Sequence, residues 1–151
     1  MRTWEILCIV SSALVAGLFS GPWTALSRSF RTYHSMLFHG IVAHMCEGMT
    51  PAITVLMPIS VLSMIPLLIG SYANHSVSFA FDAAALVLNL ASIFIAVGFE
   101  LRIVNGIAAW SATAIPKDWE ASRERWLTVH RLRVFTGLAS LLSLIVATLV
   151  A

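Results

Sequence analysis

The chain has 151 residues, of which 59% are hydrophobic and 11% charged, with a formal net charge of +2 and a mean hydropathy of +0.90. That composition lies outside the range of ordinary soluble domains, and so thin a positive charge gives no footing for nucleic acid. It leaves an all-α integral membrane protein, with the lipid bilayer as solvent and little chain outside spans and short connections.

Four stretches are apolar for about the 20 residues that a bilayer core requires: residues 4–26, 47–69, 83–110 and 126–150. The expected fold is an integral membrane four-helix bundle with a long, proline-bent second helix, one domain over residues 1–151. Spans joined by short connections bury a shared interior only by packing together. The opening MRTWEILCIVSSALVAGLFSG has the basic residue, apolar run and small residues of a signal peptide. Its run is longer than a usual signal core and three more spans follow, so it reads as the first span.

Within that span, Gly17 and Gly21 of AGLFSGPW have the small-xxx-small spacing that lets helices approach closely, and they permit a homo-oligomer. Pro22 and Trp23 mark a membrane interface. Arg28 and Arg31 follow it, while Arg102, Lys117, Arg123, Arg125, Arg131 and Arg133 surround the third connection. The positive-inside rule then places both basic connections in the cytoplasm, with both termini and the 70–82 loop outside.

The second helical segment, about 32–69, is too long for one crossing. Its early part holds His34, His39, His44 and Glu47 and is expected at or below the cytoplasmic interface, before a span bent by Pro51, Pro58 and Pro66. Cys8 and Cys46, the only cysteines, fall near opposite ends of their helices, which argues against a disulfide.

The third segment ends in ELRIVNGIAAW. Glu100 and Arg102 are two residues apart and point to different faces, whereas Arg102 and Asn105 share a side. In the fourth, Trp126, His130, Arg133 and Gly137 are spaced four, three and four, one continuous helical stripe, with Arg131 on another face. At the helical rise, Glu47, Glu100, Arg102, Asn105, His130 and Arg133 all lie roughly 25–33 Å from the outer helix ends. With Trp23 and His44 they form a polar level at the inner membrane edge. Ionisable residues at such depth pair with one another and mark sites, although the same residues also suit an inert clasp between helices.

His44 and Glu47, three apart, can reach one metal, and His130 with Glu100 could complete a set suited to iron. His39 and His44 point too far apart to chelate, and no HExxH or cysteine cluster is present. No cofactor, iron and haem all remain open.

The run VGFELRIVNGIAAW, Val97 to Trp110, followed by RWLTVHRLRVFTGL, resembles the C-terminal half of a four-helix membrane family of unknown function that includes the fungal anthrone oxygenases. That family has an Asn at the foot of the third helix and W-x-x-x-(Asn or His)-x-x-R opening the fourth. Asn105, Trp126, His130 and Arg133 match, and AGLFSGPW is similar to the family's Gly-rich early segment. The family's Pro before the Asn is absent, since Ile103 and Val104 stand there. The resemblance implies oxygenation of an activated aromatic carbon, the conversion of an anthrone enolate to a quinone.

The expected function is therefore an integral membrane oxygenase or related redox enzyme for a hydrophobic aromatic small molecule. His130, Arg133, Asn105 and Glu47 would be catalytic: His130 or a carboxylate as base, Arg133 and Asn105 on the enolate. Trp23, Trp126, Glu100 and Arg102 would bind substrate. The alternatives are a non-catalytic protein binding haem or another lipid-soluble ligand, and a structural subunit.

Overall fold

Long runs of apolar side chains offer the backbone no side-chain hydrogen-bond partners, and helices, which satisfy each carbonyl within its own segment, result. The computed structural model describes residues 2–74, 77–111 and 113–151. Among these it has four long helices: α1, Arg2–Leu26; α2, Ser35–Ala73; α3, Ser78–Ala108; and α4, Trp119–Leu149. All four are long and apolar enough to cross a membrane. The one departure from helix and turn among these residues is an isolated bridge, Ser111 to Ala114.

Several boundaries differ from the sequence reading. Helix α2 runs unbroken for 39 residues through Pro51, Pro58 and Pro66, with the histidine-bearing part and the expected span in one helix that begins at Ser35 and ends at Ala73. Each proline lacks an N–H, so the carbonyls of Glu47, Thr54 and Leu62 lose their usual intrahelical donor. Helix α3 begins at Ser78 rather than 83 and α4 at Trp119 rather than 126, because amphipathic flanks continue the helical pattern beyond the apolar window. The 70–82 loop shrinks accordingly, and His75 and Ser76 of that stretch lie outside the described residues, as do Met1 and Ala112.

Polar cross-links set the antiparallel register. Ser11 and Ser63 join α1 to α2 through their Oγ atoms at 3.3 Å, and the Asn89 amide donates to Ser60 Oγ at 3.2 Å between α3 and α2. From α4, the Ser140 hydroxyl donates to the Ala85 carbonyl at 2.7 Å, and the Ser92 hydroxyl of α3 donates to the Arg133 carbonyl at 3.2 Å. These serines and Asn89 are buried, while Leu62, Val87, Phe94 and Leu142 point outward. Large apolar residues outside and small polar ones inside are what a lipid solvent selects, because burying leucine gains nothing there and packed small side chains do.

Gly17 and Gly21 do not make the expected close helix contact: a Cβ added to either would meet nothing within 4 Å. The tight glycine is Gly137, where a Cβ would lie 3.5 Å from Ser92 Oγ and 3.8 Å from the Phe19 ring. That approach brings α1, α3 and α4 together one turn from Arg133.

The end of the bundle bearing the two basic connections has an aromatic core. Phe30, anchoring the α1–α2 connection, packs edge-on to Trp126 at 5.0 Å and to Phe38 at 6.1 Å. On its surface, Arg31 holds Glu124 with two hydrogen bonds of 3.2 and 2.9 Å, an exposed pair worth at most about 1 kcal/mol.

Candidate functional site

The stripe expected on the fourth helix does turn inward: Trp126, His130 and Arg133 are buried, whereas Arg125 and Arg131 are exposed. Opposite them, α3 loosens into a π-helical turn over Ala96–Glu100. Such a turn inserts an extra residue and re-aims the side chains beyond it, which is why π-bulges recur at functional sites. Here Glu100 is aimed at α4 while Arg102 stays exposed.

Glu100 Oε1 lies 2.8 Å from His130 Nδ1, and Glu100 Oε2 lies 2.9 Å from Arg133 Nη1. The second contact is an ion pair off the line of a hydrogen bond, since Oε2 has no hydrogen-bond donor. Arg133 Nη2 also stands 3.0 Å from His130 Nδ1. Arginine can only donate, so the two Nδ1 contacts need opposite tautomers. Where Nδ1–H donates to the Glu100 carboxylate, the Arg133 Nη2 approach is a contact only and Nε2 carries the free lone pair. That Nε2 is buried without a hydrogen-bond partner, and so is Trp126 Nε1.

Aromatic rings hold the cluster in place. His130 stacks on Trp126 with centroids 5.0 Å apart and planes at 26°, and its ring lies 6.3 Å from that of Trp23. The Arg133 guanidinium sits 4.0 Å over the Phe19 ring, a cation–π contact that a desolvated setting strengthens.

The cluster opens into a cleft of about 630 Å³ between α2 and α3. Its floor includes buried Met57, Ala96, Glu100, Trp126, His130 and Arg133, while its rim includes exposed Thr54, Pro58, Leu62, Val97 and Leu101. A rim made of residues on the outer faces of two helices is a sideways mouth. The volume falls in the range of small-molecule sites, about 300–1,000 Å³.

No protein-family model, no curated protein and no solved structure matches this chain.

The expected site residues divide accordingly. Trp23, Trp126, Glu100, His130 and Arg133 come together. Asn105 and Arg102 share a side, as their spacing requires, but that side is exposed. Asn105 therefore does not join Arg133 at an enolate, and Arg102 does not line the cleft. Glu47 and His44 face each other at 3.8 Å on the outside of α2, their side chains 80% and 86% exposed. They share a depth with His130 but not a direction, so the metal set of His44, Glu47 and His130 does not assemble. Among the described residues no three His, Cys, Asp or Glu side chains converge as metal ligands.

Residues that sequence reasoning missed are Phe19 beneath Arg133 and Cys46 in the cleft wall. Cys46 gives the cleft a chemical handle, because Cys8, the other thiol, is wholly buried at the far end of α1. A lipid-soluble maleimide is expected to label Cys46 and spare Cys8, as read by mass spectrometry of the peptides. Equal labelling of both would mean that the cleft gives Cys46 no special access.

Proposed function

We propose that this is a multi-pass membrane enzyme that takes a lipid-soluble ring compound bearing an acidic C–H or O–H through the side of the bundle and removes a proton from it. The observation that carries this reading is the Glu100–His130–Arg133 cluster, buried at the floor of an otherwise apolar, sideways-opening cleft. Glu100 orients the imidazole through Nδ1, Nε2 is the base, and Arg133 offers positive charge to the oxyanion that forms. The attraction between the Arg133 charge and that oxyanion is strongest where water is excluded, which the apolar walls provide.

The resemblance supplies the next step. An anthrone deprotonated at its methylene carbon becomes an electron-rich enolate, which reacts with dioxygen. The carbon gains one oxygen and loses both hydrogens, the second oxygen leaves as water, and the product is the quinone. Orientation is set by the charges, with both basic connections in the cytoplasm and the site nearer that face.

Binding of anthrone to purified protein in nanodiscs, without dioxygen, tests the base. The expected result is the red-shifted absorption of the enolate, present with wild type and absent with His130→Gln. Bound anthrone that keeps the spectrum of its ketone in both proteins would refute proton removal. Binding without enolate, equal in both, would instead favour a passive carrier of lipid-soluble ligands.

A further inference from the structure

The cleft continues well past the groups that do chemistry. Helices α2 and α3 run antiparallel, with Asn89 beside Ser60 and Ala96 clustered with Met57, so Glu100 stands at the level of about Thr50 to Ile53. From Ile53 to Leu62 the α2 wall then extends for about 13 Å at the helical rise. Along it stand Ile53, Met57, Pro58, Val61 and Leu62, facing Ile93, Ala96 and Val97 of α3. The exception is Thr54, whose hydroxyl is already bonded to the Thr50 carbonyl at 2.8 Å. The polar side chains lie at one end of a seam whose remainder is walled by apolar side chains.

The seam is also open along its length, since Thr54, Pro58, Leu62 and Val97 are exposed. An open apolar groove in a bilayer is filled by hydrocarbon in any case, and exchanging one chain for another yields little net free energy. A tail tethered to the bound ring fills it without immobilising a separate molecule, because the tether raises its local concentration there. At the ring end, Trp126 Nε1–H and the positive Arg133 favour an oxygen acceptor.

We infer that the ligand is a single-headed amphiphile, an oxygen-bearing ring at Glu100, His130 and Arg133 with an alkyl or isoprenoid tail lying along the α2–α3 seam towards Leu62. This rests on the reading of the cluster as the ring site. It differs from a bare tricyclic substrate, which would leave the seam to lipid.

The test uses two photoreactive benzoquinones with an isoprenoid tail, one carrying a diazirine on the ring and the other at the tail end, with the full-length protein in nanodiscs. The ring probe is expected to label Met45 to Thr50 and Trp126. The tail probe is expected to label the seam residues Thr54, Met57, Pro58, Val61 and Leu62 with Ile93, Ala96 and Val97, reduced about tenfold by saturating unlabelled tailed quinone and unaffected by the same tail without a ring. Val61→Trp fills the seam from a partly exposed position and is expected to abolish the tail label while the ring label stays. A tail label scattered over outward-facing Val55, Ile59, Val87 and Phe94, or insensitive to Val61→Trp, overturns the inference while a localised ring label leaves the ring site standing. Displacement by the ringless tail would assign the seam to lipid acyl chains, again against it. A ring label scattered like a bulk lipid probe would overturn both readings.

Discussion

Replacing Glu100 by Ala is expected to destabilise the fold by about 3–5 kcal/mol, the range for removing one partner of a buried ion pair. The carboxylate is the sole acidic partner among the described residues of the buried Arg133 guanidinium, and it also holds His130 Nδ1. Without it, a cation remains in an apolar interior with only the Phe19 face and the His130 ring beside it. The cation–π contact offsets about 2 kcal/mol of the cost. Measured by denaturant unfolding in mixed micelles followed by circular dichroism, Glu100→Ala should show the lower midpoint, and Arg133→Met alone should also lose stability. The decisive comparison is the pair: Glu100→Ala with Arg133→Met removes both charges, and the methionine can pack on Phe19 with a favourable sulfur–aromatic contact. The double variant should be more stable than Glu100→Ala alone, with a coupling of about 0.5–3 kcal/mol. A double variant whose losses simply add would show that Glu100 and Arg133 do not depend on each other.

The reach of the sequence ends at a definite physical boundary. Hydrophobic length located all four helices, each long and apolar enough to cross a membrane, and helical spacing put Trp126, His130 and Arg133 on one inward face. The same reasoning separated Glu100 from Arg102 correctly. It failed where depth was taken for direction. Glu47 and His44 lie on the same long helix as Cys46, yet a rotation of about 100° per residue carries Glu47 out of the cleft while Cys46 lines it. Nothing in a chain of apolar residues fixes that rotation, because lipid and protein interior reward the same side chains. The π-helical turn at Ala96–Glu100 was equally illegible: AVGFE carries no proline, its one polar residue, Glu100, is as compatible with a regular helix, and the extra residue is accommodated by packing against α4. The α2 stripe running from Met45 through Met49, Ile53 and Met57 has the spacing of a cleft wall, but a lipid-facing stripe has it too.

If the protein oxidises anthrones as proposed, replacing His130 by Ala is expected to lower kcat for that reaction by about 10²–10⁴-fold, the contribution of a positioned general base. On the proposed reading, two features favour the imidazole over Glu100 as the base. Glu100 Oε1 is held by Nδ1 and Oε2 by the charge of the guanidinium, whereas Nε2, buried on a side chain that lines the cleft, has neither a hydrogen-bond partner nor an ion pair, and the other unpartnered nitrogens there, Trp126 Nε1 and Arg133 Nε, can only donate. The ring is also fixed between Trp126 and Trp23, so it loses little further freedom when a substrate arrives. His130→Gln separates role from shape, since the amide retains polar contact with Glu100 but cannot take a proton. It should remain folded, bind the quinone product within a fewfold of wild type, and turn over as slowly as His130→Ala. Excess external imidazole, small enough for the vacated space, should restore part of the rate to His130→Ala and none to His130→Gln, where the space is filled. Quinone formation at the wild-type rate in either variant, monitored by absorbance under air, would remove His130 from the chemistry and leave the cluster a helix clasp.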